Sequence, residues 1–243
     1  MNPIILIPAR LGSTRLPGKV LADIAGLPMI VHVLRRAQEA GLGPVAVACG
    51  EAEVAEVVEK HGGTVLLTAP DLPSGSDRIH AALEALDPEG KHGVVINLQG
   101  DLPSIDPSYL ATVLTPLAQG FDIGTLVAPI TSAEEALSPS VVKCVCAFPG
   151  DEAVAPALYF SRNPVPGGEG PLWHHIGIYA YRREALARFV SLPPSPLELR
   201  EKLEQLRALE AGMRIGAARV AGAPFGVDTP ADLEHARRML GHV

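Results

Sequence analysis

The chain has 243 residues, 47% of them hydrophobic, with 20 Lys plus Arg against 27 Asp plus Glu and a net charge of −7. That length allows one large α/β domain, or a main domain with an appended lobe, and the acidic balance excludes a general nucleic-acid binder, whose phosphate affinity needs a basic surface. No apolar run is long enough to span a bilayer, so no membrane association is expected, and a local cluster of Arg and Lys then points to one small anionic ligand.

In chain order, the first residues, MNPIILIPAR, carry no basic segment ahead of a long apolar stretch, and the expected location is the cytoplasm. The apolar run 4–7 reads as a buried strand and feeds directly into "PARLGSTRLPGK", residues 8–19. A helical pattern over 29–40, a strand at 45–49, a helix over 51–60 and a strand at 65–67 follow. "LPSGSDRIHAAL" (72–83) places Ser74 at a helix start, where it suits an N-cap, and His80 within that helix reads as structural. A strand at 94–98 ends in "QGD", Gln99 to Asp101. The alternation implies βαβ units and a Rossmann-like, mostly parallel α/β sheet with helices on both faces, in which ligands collect at the carboxyl ends of the strands.

The pattern changes after about residue 120. Longer strands are expected at 123–129, 141–148 and 176–181, joined by Pro/Gly-rich connections such as "RNPVPGGEGP". One helix over 197–211 would place Leu199, Leu203, Leu206 and Leu209 near helical spacing. "VDTPADLEHARRML" then supplies a helix start, with Thr229 as N-cap, Pro230 first and Asp232 in the first turn. No linker separates independent domains. The expectation is a single domain over 1–243, with a main part to about 120, a smaller strand-rich lobe over 121–220 and a helix over 221–243 returning to the core. Cys49, Cys144 and Cys146 have neither disulfide-like nor zinc-like spacing and read as small buried hydrophobes in a reducing compartment.

The opening loop carries the densest chemistry. Backbone N–H groups of a glycine turn suit a phosphate chain, and Arg10, Arg15 and Lys19 are able to neutralise a triphosphate from three directions. It is not a Walker loop: Gly12 and Gly18 enclose five residues rather than four, and Val20 stands where a magnesium-binding hydroxyl would follow the lysine. No G-x-G-x-x-G follows the strand either. Asp101, at a strand end, is placed to hold a divalent ion against phosphates, or alternatively to cap a turn. Asp228 has the same two readings. His174 and His175 point to opposite faces of an extended chain and make no chelating pair, whereas Tyr179 shares the face of His175.

Together these pieces resemble the 3-deoxy-manno-octulosonate (Kdo) cytidylyltransferases. The likeness rests on "IPARLGSTRLPGKVLADIAGLPMIVHVLRRA", "SGSDRI", "VINLQGDLP", "VKCV", "ALYFSR", "HHIGIYAYRREAL", "PSPLELREKLEQLRALEAGMRI" and "GVDTPADLE", in family order over nearly the whole chain. The resemblance implies a sugar-nucleotidyltransferase fold whose smaller lobe serves sugar binding and dimerisation. It implies CTP and Kdo as substrates, CMP-Kdo and pyrophosphate as products for lipopolysaccharide synthesis, Mg²⁺ as cofactor and a homodimer. By motif, Arg10, Ser13, Arg15, Lys19, Ser74, Arg78 and Gln99 would meet the nucleotide, with Lys19, Arg10 and Asp101 catalytic. Asp101 and Asp228 would bind metal, and Gln99, His175, Tyr179, Glu204 and Gln205 would line the sugar site, the last two from the leucine-rich helix. Leu102 stands where the family usually has Glu, and Cys49-Gly50 where it commonly has Thr-Asp, with Glu51 next in the chain as a partial substitute. The stretch between Pro166 and His175 is also short, leaving little room for a long lid or dimer arm. The rival readings are a cytidylyltransferase for another acidic sugar, such as sialic acid or amino-Kdo, and a non-catalytic nucleotide-binding relative.

Overall fold

The computed structural model describes residues 1–13 and 15–241. The chain divides into two compact units, one formed by 1–110 with the segment from Pro224 onward, the other by Ala111–Ala223.

In the first unit four strands run parallel, in the order Thr64–Leu67, Val45–Cys49, Pro3–Ala9, Val94–Asn97. Ile5, Leu6 and Ile7 are fully buried, as expected for a strand covered on both faces, and each contributes about 1.5–3 kcal/mol through the water it sheds. Helix Met29–Glu39 buries Ile30, Val33, Leu34 and Ala37 at helical spacing and rests on strand Val45–Cys49. Helix Gly75–Leu86 begins as the sequence indicates: Ser74 Oγ accepts hydrogen bonds from the Ser76 and Asp77 N–H groups. Helix Pro230–Leu240 begins with a full capping box, Thr229 Oγ1 accepting from the Asp232 N–H and the Asp232 carboxylate accepting from the Thr229 N–H. Its Leu233 and Ala236 pack with Ile24, Met29 and Val227.

In the second unit the central strand Ile123–Pro129 lies parallel to Ile215–Arg219 and antiparallel to Trp173–Arg182. Short strands Val154–Pro156 and Lys143–Val145 extend it, the latter also pairing with Tyr159–Ser161. The strand expected over 141–148 is therefore only three residues long. The single helix expected over 197–211 is two short ones, Pro196–Glu201 and Leu206–Glu210. Lys202 breaks it in the left-handed conformation (φ 59) and caps the first piece. Leu199 is consequently 55% exposed while Leu206 is fully buried, so the leucines that mimic one apolar stripe lie on different surfaces. All three cysteines are free and buried, as read from their spacing.

Candidate active site

Strand Pro3–Ala9 delivers the chain into the glycine loop at its carboxyl end. There the Leu11 carbonyl accepts hydrogen bonds from the Ser13 and Gly18 N–H groups (2.9 and 3.1 Å), which closes the loop on itself. Gly18 sits at φ 69, a conformation that favours glycine, and the turn Lys19–Leu21 starts from it. Ser13 Oγ accepts from the Leu16 N–H, so this hydroxyl braces the loop locally. From the next strand end, Glu51 Oε1 accepts from the Leu11 N–H at 3.1 Å. Glu51 is a residue that sequence reasoning noted only as a partial substitute for the family's aspartate; its position just after the second strand was the available signal.

The loop's cations meet two carboxylates. Lys19 Nζ donates to Asp101 Oδ2 and Asp228 Oδ1, both at 2.8 Å, and to the Val227 carbonyl at 3.2 Å. Arg15 Nη2 lies 2.9 Å from Asp228 Oδ2. Burial alone would lower the Lys19 pKa, but Asp101 and then Asp228 outweigh it, and the ammonium is held above its ordinary value. Arg10, Ser13, Arg15, Lys19, Gln99, Asp101 and Asp228 all line one cleft of about 320 Å³. Ser74 and Arg78 line an adjoining recess of about 140 Å³, also bordered by Arg10 and Gln99. Arg78 is 3% exposed, and its guanidinium donates to Thr68 Oγ1 and to the Ala69 and Pro70 carbonyls. It thus ties the 68–70 segment to the helix that borders the recess.

The two departures from the family pattern have structural accounts. Leu102 is 8% exposed and packs under the Gly226 backbone, next to the point where the Val227 N–H donates to the Asp101 carbonyl. An apolar side chain there seats the segment that carries Asp228. At Gly50 a Cβ would lie 2.8 Å from Pro70 Cα and 3.0 Å from the Arg78 guanidinium, so this site accepts no side chain as packed.

In the second unit His175 and Tyr179 come together, their ring centroids 5.6 Å apart, with Phe160 edge-on to His175 at 4.8 Å. His174, on the opposite face, binds Glu135 through Nδ1 at 2.8 Å. Burial, with His174 nearby, pushes His175 down to about 3, so the ring is neutral at physiological pH. Burial also raises the Tyr179 hydroxyl well above its usual range, with Tyr181 and Glu204 adding to the effect. Glu204 and Gln205, expected on one leucine-rich helix, lie instead in the turn between two short ones, because Lys202 ends the first. Gln205 is 7% exposed, and its Nε2 has no hydrogen-bond partner among the described residues. That turn is braced by Arg207, whose Nε and Nη2 donate to Glu198 at 2.8 and 2.6 Å. A second brace, unforeseen in the sequence, is Glu201, which accepts from Ser161 Oγ at 3.0 Å and the Arg162 N–H at 3.2 Å.

A parallel sheet whose first strand opens into a cationic loop, faced by paired carboxylates, defines a nucleotidyltransferase, a class that handles triphosphates by charge neutralisation. The profile of the cytidylyltransferase family matches residues 4–215. The chain is 61% identical over 240 residues to a 3-deoxy-manno-octulosonate cytidylyltransferase of Parvibaculum lavamentivorans, covering 98% of this chain and 93% of that one. It is 59% identical to that of Paramagnetospirillum magneticum over 241 residues, covering 99% and 98%. A solved structure of CMP:2-keto-3-deoxy-manno-octonic acid synthetase complexed with CTP superposes with a TM-score of 0.89 at 40% identity, covering 100% of this chain and 99% of the other. The protein belongs to the 3-deoxy-manno-octulosonate cytidylyltransferase family.

Proposed function

We propose that the protein transfers CMP from CTP to the anomeric hydroxyl of Kdo, giving CMP-Kdo and pyrophosphate for lipopolysaccharide synthesis. The observation that carries this reading is the Lys19 ammonium spanning Asp101 and Asp228 at the mouth of the cationic loop, in a chain about 60% identical to enzymes of that name. Arg10, Arg15 and Lys19 bind the triphosphate and neutralise the charge that builds on pyrophosphate as it leaves. The anomeric oxygen attacks the α-phosphorus in line, its new P–O bond forming as the bond to the β-phosphate oxygen breaks. Most of the acceleration then comes from holding the two substrates in that line.

The donor set fits Mg²⁺: two carboxylates converge closely enough for one ammonium to bridge them, and this ion takes one or two carboxylates plus phosphate oxygens and water. No cluster of three or more His, Cys, Asp or Glu side chains suited to a metal occurs among the described residues. Asp101 and Asp228 would hold the ion, which when bound polarises the α-phosphate and acidifies the attacking hydroxyl.

His175, Tyr179, Glu204 and Gln205 form the Kdo site. The buried, unpartnered Gln205 Nε2 supports it, because such a donor is costly unless a ligand satisfies it. The protein acts as a homodimer in the cytoplasm. The family resemblance supports the dimer, and three buried free thiols suit a reducing compartment. No helix among the described residues is long and apolar enough to cross a membrane. The test is pyrophosphate release with CTP and Mg²⁺ across Kdo, amino-Kdo and sialic acid, with other nucleotides as controls. Preference for sialic acid would overturn the Kdo assignment, and CTP binding without turnover would overturn catalysis.

A further inference from the structure

We propose that Thr125 is the positioning residue of the sugar site: its single buried hydroxyl fixes the tautomer of His175 and pins the strand bulge that brings His175 and Tyr179 together. The inference rests on the reading that His175 lines the sugar site.

Strand Trp173–Arg182 pairs His175 with Val127 and Ile176 with Leu126, and then Tyr179 with Thr125. Leu126 and Thr125 are adjacent, so Gly177 and Ile178 have no counterpart on the partner strand and are looped out as a bulge. In a regular strand, residues four apart share a face but stand about 13 Å from one another. Here the rings of His175 and Tyr179 are 5.6 Å apart, because the extra residues gather the chain between them.

Thr125, with no exposure to solvent, sits opposite this bulge. Its Oγ1 lies 3.2 Å from the Ile176 carbonyl, 3.0 Å from the Ile178 carbonyl and 3.0 Å from His175 Nε2. A threonine hydroxyl has one proton to donate, and the two carbonyls can only accept. If the proton pointed at Nε2, both carbonyl oxygens would face hydroxyl lone pairs at 3.0–3.2 Å in a fully buried site. The hydroxyl therefore donates toward the carbonyls, and Nε2–H donates to Oγ1. Burial keeps the ring neutral, so its one proton is on Nε2 and Nδ1 carries a lone pair. His175 then offers the sugar a hydrogen-bond acceptor, which selects for a hydroxyl donor on the ligand.

The tautomer is read directly from two-bond ¹H–¹⁵N correlations of the intact, histidine-labelled protein, with the His175 signals assigned by loss in His175→Gln. The wild type and Thr125→Ser are expected to show the Nε2–H form, and Thr125→Val to lose that single pattern. Steady-state kinetics should show Thr125→Val raising the KM for Kdo by about tenfold, one hydrogen bond's worth, with the KM for CTP nearly unchanged and Thr125→Ser restoring it. A wild-type His175 protonated on Nδ1 overturns the proposal, with no variant required to fold. So does a Thr125→Val protein that keeps both the tautomer and the Kdo KM. If His175→Gln leaves the Kdo KM unchanged, the sugar-site reading fails instead, and the tautomer spectra still decide the role of Thr125.

Discussion

Replacing Lys19 with alanine tests the reading of the cationic loop. In the folded protein the ammonium is only 14% exposed as a side chain and contacts two carboxylates at 2.8 Å, one of them also held by Arg15. Its loss leaves Asp101 without that neutralising partner, while Asp228 keeps Arg15. Because the Asp101 and Asp228 side chains are 30% and 47% exposed, water screens the residual repulsion, and the cost to folding is on the order of 1 kcal/mol. The cost to nucleotide binding is larger. A charge-assisted hydrogen bond to phosphate is worth about 1.5–3 kcal/mol, a loss of roughly 10–150-fold in CTP affinity. Calorimetric titration of CTP with the wild type and variant gives the first number, and the KM for Kdo under saturating CTP gives the second. The variant should lose CTP affinity steeply, with Kdo nearly unaffected. Equal losses for both substrates, or an unchanged CTP affinity in a folded variant, would refute the phosphate role.

Three further outcomes are expected. Asp101→Asn should abolish Mg²⁺-dependent pyrophosphate release while leaving the circular dichroism melt nearly unchanged; near-normal turnover would sink the metal assignment. Gly50→Ala should destabilise the fold by about 1–3 kcal/mol in urea titration, since its Cβ would press on the Pro70 backbone and the Arg78 guanidinium; a neutral result would show that the 68–70 segment yields. Glu198 should contribute an acid-sensitive increment of stability. Burial would raise its pKa, but the Arg207 guanidinium and the Ser195 N–H bring it below the ordinary carboxylate value. A depressed folded pKa means the increment is present above the unfolded value, near 4.5, and is lost as pH falls through the folded one. Glu198→Gln should flatten the stability profile in that acid window, and a profile identical to wild type would contradict the pairing.

Local rules carried much of the reading. The strand at 45–49, the Ser74 cap and the Thr229–Asp232 capping box follow from apolar runs and short side-chain-to-backbone bonds, which depend on neighbours in sequence. The cationic loop was legible because five polar or charged side chains follow a buried strand with no packing reason to be there. The leucine-rich segment misled because spacing cannot reveal Lys202 in the left-handed region, a conformation uncommon for a residue with a Cβ. Glu201 and Thr125 were illegible as site residues because each acts through a partner at least 39 positions away. Nor does sequence foretell Lys143, a fully buried lysine that donates to the Ser138 and Arg162 carbonyls at 2.7 and 3.0 Å.

The contact between Lys19 and Asp228 spans 209 positions, and the second unit is inserted between the two parts of the first. During synthesis, therefore, the loop with its three cations exists long before the carboxylate that completes the cleft. Contacts of such separation form only after a large loss of chain entropy, so cleft closure belongs among the late steps of folding. A fragment ending before Pro224 would keep every loop cation and still lack half of the paired carboxylates. Nucleotide, which favours the finished cleft over any such intermediate, then acts as a ligand of the completed chain and draws folding toward it by mass action.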